Sequence, residues 1–119
     1  MTSSLESAPE TAQESNPAVS RCTDAFVRAY QEVKAAGKES RNEGAYEFER
    51  RARDAALEAF RKAMPSLAGA ENIRGFIACV AHGMLFDVFS GQESTRLLYA
   101  AQVANTAASR TASPRPVAA

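Results

Sequence analysis

Between Gly75 and Phe86 the chain carries no acid, lysine or arginine, and this run lies within Glu71 to Ala104, ENIRGFIACVAHGMLFDVFSGQESTRLLYAAQVA, where apolar surface is least interrupted by charge. At about 100° per residue, Ile73, Phe76, Ile77, Val80, Met84 and Val88 fall on one broad apolar face. Ala78, Leu85, Phe86 and Phe89 lie round the back, with Arg74, His82 and Asp87 as the polar exceptions. A helix apolar nearly all round is normally sandwiched between other helices. The uncharged run is about 12 residues, well short of the roughly 20 that cross a bilayer, so it predicts a core helix rather than a membrane span.

Ser90-Gly91-Gln92-Glu93 reads as the break after this helix: Gly91 is suited to the left-handed conformation that closes a helix, and Glu93 complements the positive end of the next one. So short a break forces an antiparallel hairpin. The returning helix places Leu97, Ala101, Ala104 and Ala108 on one stripe, with Leu98 beside it and Tyr99 and Val103 elsewhere. Alanine there permits close approach while burying little area.

Upstream, Asn16 is placed to cap a helix whose first residue is Pro17, where a missing N–H is tolerated. Val19, Cys22, Phe26, Ala29, Val33 and Ala36 then recur at alternating spacings of three and four, the seam of a helix packed lengthwise on another, and Gly37 marks its end. Lys38 to Gly44 is a polar connection. A second helix carries Phe48, Ala52, Ala55, Ala56, Ala59, Phe60 and Ala63 inward and acid-to-base pairs four apart outward, until Pro65 stops it. No segment alternates with the period of a strand. The expected fold is all-α, a small antiparallel helical bundle of about four helices over 17–36, 44–64, 70–89 and 92–109, in one domain spanning 17–109.

The termini differ in kind. Residues 1–16 hold three acids and no base, and 110–119 hold two arginines and two prolines, so both read as disordered tails. The formal charge of zero divides into −3 for the first tail, +1 for 17–109 and +2 for the second tail. That balance gives no strong electrostatic pull toward nucleic acid or an anionic membrane. No apolar stretch with a basic flank opens the chain, which predicts a cytoplasmic protein without a cleaved leader, with Cys22 and Cys79 as buried thiols.

Little in the sequence specifies catalysis. Cys79 and His82 stand three apart on one helix, but a structural zinc site needs four ligands, and no oxyanion donor accompanies the thiol, so both are read as packing residues. Asp87 falls near the apolar face, where an unpaired carboxylate would cost several kcal/mol, and a partner among Arg28, Arg96 and Tyr99 is expected for it. No phosphate-binding glycine loop, zinc-protease helix or hydrolase elbow occurs. No cofactor, metal or small-molecule substrate is therefore expected.

At ENIRGFIACVAHGML and RLLYAAQVA the chain resembles short bacterial proteins of no known activity that share a run of this type near their C-termini. The resemblance covers roughly residues 60 to 105 and rests on apolar positions with Asn72, Arg74, His82 and Gly83. It implies a helical fold and a bacterial source, and it brings no catalytic residue to carry over.

The resulting expectation is a non-enzymatic helical interaction module, a homo-oligomer or an adaptor, whose partner surface comprises Leu85, Phe86, Phe89 and Tyr99. The alternative is a small DNA-associated regulator. It would contact phosphates through Arg50, Arg53 and Arg61 on the second helix and use the C-terminal hairpin as a helix-turn-helix-like unit. Glu47, Glu49, Asp54 and Glu58 interleave with those arginines and weigh against it.

Overall fold

The computed structural model describes residues 16–112, with side chains through residue 110. Four α-helices account for most of these residues, and there is no strand among them: α1 (Pro17–Ala36), α2 (Ala45–Ala63), α3 (Ala70–Leu85) and α4 (Gly91–Ala112). α4 extends through Ala112, three residues into the stretch expected to be a tail. The remainder of both expected tails lies outside the described residues. The chain divides into two compact units, Met1–Met64 and Pro65–Ala119, each built on one helical hairpin.

In the first unit, Asn16 caps α1 as its position suggests, its Oδ1 accepting from the N–H groups of Ala18 and Val19 at 3.0 and 3.3 Å. Gly37 closes the helix at φ 87°, a region only glycine enters without strain, and its N–H reaches the Val33 carbonyl at 3.2 Å. α2 begins after Gly44, whose N–H donates to Glu47 Oε1 at 3.0 Å, and ends at Met64, held extended before Pro65. Cys22 on α1 and Ala52, Ala56 and Phe60 on α2 are buried, with Phe26, Val33 and Phe48 half-buried beside them.

The loop end of this hairpin is held by charge. Arg51 grips Glu43 through two bonds, Nε to Oε2 at 2.9 Å and Nη2 to Oε1 at 3.0 Å, and Nη2 also donates to the Gly37 carbonyl at 3.2 Å. The Glu39 N–H adds a third bond to Glu43 at 2.8 Å. One guanidinium thus ties the end of α1, the connection and α2 together. Beside it, Lys34 pairs with Glu49 at 2.9 Å and lies 4.4 Å from the centre of the Phe48 ring. Tyr30 also donates its hydroxyl to Glu49.

In the second unit the expected helix over 70–89 stops four residues early, at Leu85. Asp87 takes φ 61°, and Val88 N–H bonds back to the Gly83 carbonyl at 2.8 Å while Asp87 N–H reaches the Met84 carbonyl at 3.3 Å. This is a Schellman closure in which an aspartate, one of the few side chains that tolerate the left-handed region, does what was expected of Gly91. Gly91 instead opens α4, capped by Ser90, whose Oγ accepts from Glu93 N–H at 3.0 Å. The reversal brings Val88 and Phe89 back over α3. A Cβ on Gly83 would stand 2.8 Å from two atoms of the Phe89 ring and 3.2 Å from Val88 Cβ.

Ile73, Phe76, Cys79, Val80, Val88 and Phe89 are buried, as is Ala101 of α4, with Leu97, Leu98, Ala104 and Ala108 half-buried. Ile77 and Met84, expected on the core face, are 39% and 44% exposed. Their direction explains this: the buried positions cluster round Phe76, Cys79 and Gly83, and Ile77 and Met84 sit at the flank of that arc. Met84→Asp is therefore expected to leave folding intact, because at this exposure the carboxylate would stay hydrated.

Gly83→Ala is expected to destabilise the protein by about 2 kcal/mol in urea unfolding, since overpacking of up to ~3 kcal/mol outweighs the ~1 kcal/mol that alanine gains in helix propensity. In a Phe89→Ala background the same change becomes neutral or stabilising, because the ring it strikes is gone. The first unit yields a pH prediction. The Arg51 hydrogen bonds, then the Glu39 N–H, hold the Glu43 carboxyl down from 4.5 to about 2. Its contribution to stability is therefore fully present above pH 4.5 and is lost as pH falls toward 2. The difference in unfolding midpoint between wild type and Glu43→Gln is expected to shrink across that interval.

Candidate functional site

The end of α3 presents two adjacent large apolar side chains to solvent, Leu85 at 79% and Phe86 at 61% exposure. Isolated exposed apolar residues are ordinary, but here two are consecutive at a helix terminus whose backbone is set by a Schellman closure. Half-buried His82 is one turn earlier, and its ring lies 4.9 Å from that of Phe86 at 48°. The contact holds the Phe86 ring against the end of the helix. Asp87 beside it is exposed rather than inserted in the apolar face, so it has no desolvation penalty for an ion pair to offset. Its left-handed backbone turns the side chain out to water, which is why the expected partner among Arg28, Arg96 and Tyr99 is unnecessary.

The four residues expected to form one partner surface do not do so. Phe89 is 4% exposed and seated on Gly83, because the chain reverses at Asp87 instead of continuing as helix. Tyr99 is 67% exposed on the side of α4 opposite Ser94 and Ala101, and so turned away from α3. The expected surface resolves into a Leu85–Phe86 patch at the end of α3 and a separate Tyr99 position on the outer side of α4.

Arg50, Arg53 and Arg61 of the alternative phosphate-contact reading are all exposed on α2. Their surroundings are mixed in charge: Glu49 is shared by Lys34 and Tyr30, Lys62 pairs with Glu58 at 3.3 Å, and Arg51 is committed to Glu43. The Glu49 carboxyl is lowered from its ordinary value by the Tyr30 hydroxyl and then by Lys34, so it stays charged next to the arginines at neutral pH.

Cys22 and Cys79 are buried thiols. Among the described residues no group of three or more His, Cys, Asp or Glu side chains is placed to hold a metal ion. No described helix is long and apolar enough to cross a membrane. An open groove of about 620 Å³ separates the start of α3, at Gly69, Ala70 and Ile73, from the end of α4, at Ala104 and Ala108. Its lining is apolar apart from Asn105 and Ser109 and has no titratable side chain, so it offers shape but no acid–base chemistry.

Sequence reasoning missed two devices that shape this unit. Ser90 and Glu93 have the spacing of a capping box, a readable sign that α4 begins at Gly91. Gly75, Cys79 and Gly83, four apart and all buried, form a strip of small residues that lets neighbouring atoms approach α3 closely. Ser94 is 1% exposed, and its Oγ has no hydrogen-bond partner among the described residues.

Compared with family models, with curated proteins and with solved structures, the chain has no match. The exposure difference between neighbouring phenylalanines is directly measurable. Phe86→Ala is expected to change unfolding free energy by less than about 0.5 kcal/mol, whereas Phe89→Ala is expected to cost about 3 kcal/mol or more.

Proposed function

We propose that this chain is a non-enzymatic helical interaction module, acting in the cytoplasm, that docks a protein surface through Leu85 and Phe86. The observation that supports this reading is the pair of exposed side chains on a locked helix end, 79% and 61% accessible and next to each other. Binding energy at protein interfaces concentrates in a few well-placed anchors, and aromatic rings are prominent among them. Phe86 is held by the His82 ring at 4.9 Å, so less rotamer freedom remains to be lost when a partner covers it. Leu85 beside it supplies aliphatic area without a charge to desolvate.

The reading is tested by placing a photo-reactive phenylalanine analogue at position 86 and irradiating cells that make the protein. A discrete covalent adduct with a second polypeptide is the expected result, and its yield falls when Leu85 is also changed to Glu. Irradiation that yields no adduct at position 86, in a variant with unchanged helicity, would overturn the proposal.

A further inference from the structure

Ala70, Arg74, Ile77, Ala81 and Met84 follow one another along α3 at spacings of four, three, four and three, and every one is exposed. Residues so spaced form the seam along which a second helix packs. Leu85 stands beside this seam, on the side of α3 away from the buried Phe76, Cys79 and Gly83, and leads into the exposed Leu85–Phe86 patch. Between Arg74 and Asp87 the sequence holds no acid, lysine or arginine. The face is therefore apolar over about three turns, with a positive charge at one end and a negative charge at the other.

From this arrangement we infer that α3 pairs antiparallel with α3 of a second copy, about a two-fold axis next to Ala81. The inference rests on the reading of the chain as an interaction module and names the partner for it. Turned about Ala81, the face is complementary to itself. Ile77 meets Leu85, Ala78 meets Met84 and Ala81 meets Ala81, in each case across the two chains. A long side chain thus lies over a small one, and the smallest residues stand where the two helices come closest. Arg74 of each copy reaches the end of the other copy's α3, where Asp87 is exposed and the helix dipole is negative. A parallel pair would instead set Arg74 on Arg74 and Asp87 on Asp87. Arg74 already bonds Glu71 at 2.7 Å, but both side chains are exposed, and the guanidinium has further N–H groups for an incoming carboxylate. With a formal charge of zero, two copies meet without long-range repulsion.

Area supports the same occupant. Ile77, Met84, Leu85 and Phe86 are 39%, 44%, 79% and 61% exposed. At roughly 200 Å² for a large apolar residue, they leave roughly 450 Å² of apolar surface on each copy. Contiguous apolar patches of this size mark interaction sites on monomers. Homodimer interfaces are about 65% apolar, so two such patches with their polar rim amount to about 1,400 Å², within the range of about 1,200 to 2,000 Å² that specific interfaces bury.

The test uses the full chain. Sedimentation is expected to show a reversible dimer at micromolar concentrations, and Met84→Asp is expected to weaken it at least about tenfold while circular dichroism stays unchanged. Ala81→Cys is expected to form an interchain disulfide under mild oxidation, because position 81 meets its own counterpart at the axis. The wild-type chain, whose own thiols are buried, gives the baseline. Ala70→Cys is expected to give no such product, because in the antiparallel pair position 70 lies about 33 Å from its counterpart along the helix axis, beyond disulfide reach. A wild-type chain that stays monomeric, or a Met84→Asp chain that dimerises as tightly as wild type, overturns the pairing. If position 86 of that monomer still crosslinks to another protein in cells, the interaction-module reading stands without it. A dimer that forms while position 86 gives no adduct would uphold the α3 pairing and overturn docking through Phe86. Equal crosslinking at positions 70 and 81 would overturn the antiparallel register.

Discussion

The second unit depends on one contact, the Phe89 ring resting on Gly83 at a distance that excludes even a methyl group. The contact exists because Asp87 accepts φ 61° and sends the chain back over the helix it has just left. Phe89 is thereby converted from the last turn of a helix into core, and Leu85 and Phe86 are left outside at the corner. The same three residues, Gly83, Asp87 and Phe89, thus determine both what this unit buries and what it presents.

The two units are held by different physics. In the first, Arg51 satisfies a helix-terminal carbonyl and a bidentate carboxylate at once, and Lys34, Glu49, Tyr30 and Phe48 form a second polar cluster beside it. In the second, small buried residues at Gly75, Cys79, Gly83 and Ser94 leave room for close approach. The buried hydroxyl of Ser94 has no hydrogen-bond partner among the described residues, so what it contributes there is its small size.

Periodicity made the helices legible, and the bounds of the first two were clear from Asn16, Pro17, Gly37 and Pro65, whose effects are local. The end of α3 was not legible because apolar residues continue through Phe89, and only backbone geometry shows that the last two fold inward. Exposure of Ile77 and Met84 was missed for a related reason: a helix apolar on every side does not indicate which side a neighbour covers. The Leu85–Phe86 patch was legible as excess apolar surface. Its separation from Tyr99 was not, since that requires knowing which side of α4 faces α3.

Three of the helices start with a donor-satisfying group: Asn16 for α1, the Glu47 carboxylate for α2 and Ser90 for α4. α3 starts after Gly69, at φ 91° and with no side-chain cap. Its first amides are left to water, so local opening of this unit begins at Ala70 and Glu71 rather than at the locked end beyond Gly83. That first turn is also one wall of the 620 Å³ groove. Fraying of that one turn would therefore displace one wall of the groove.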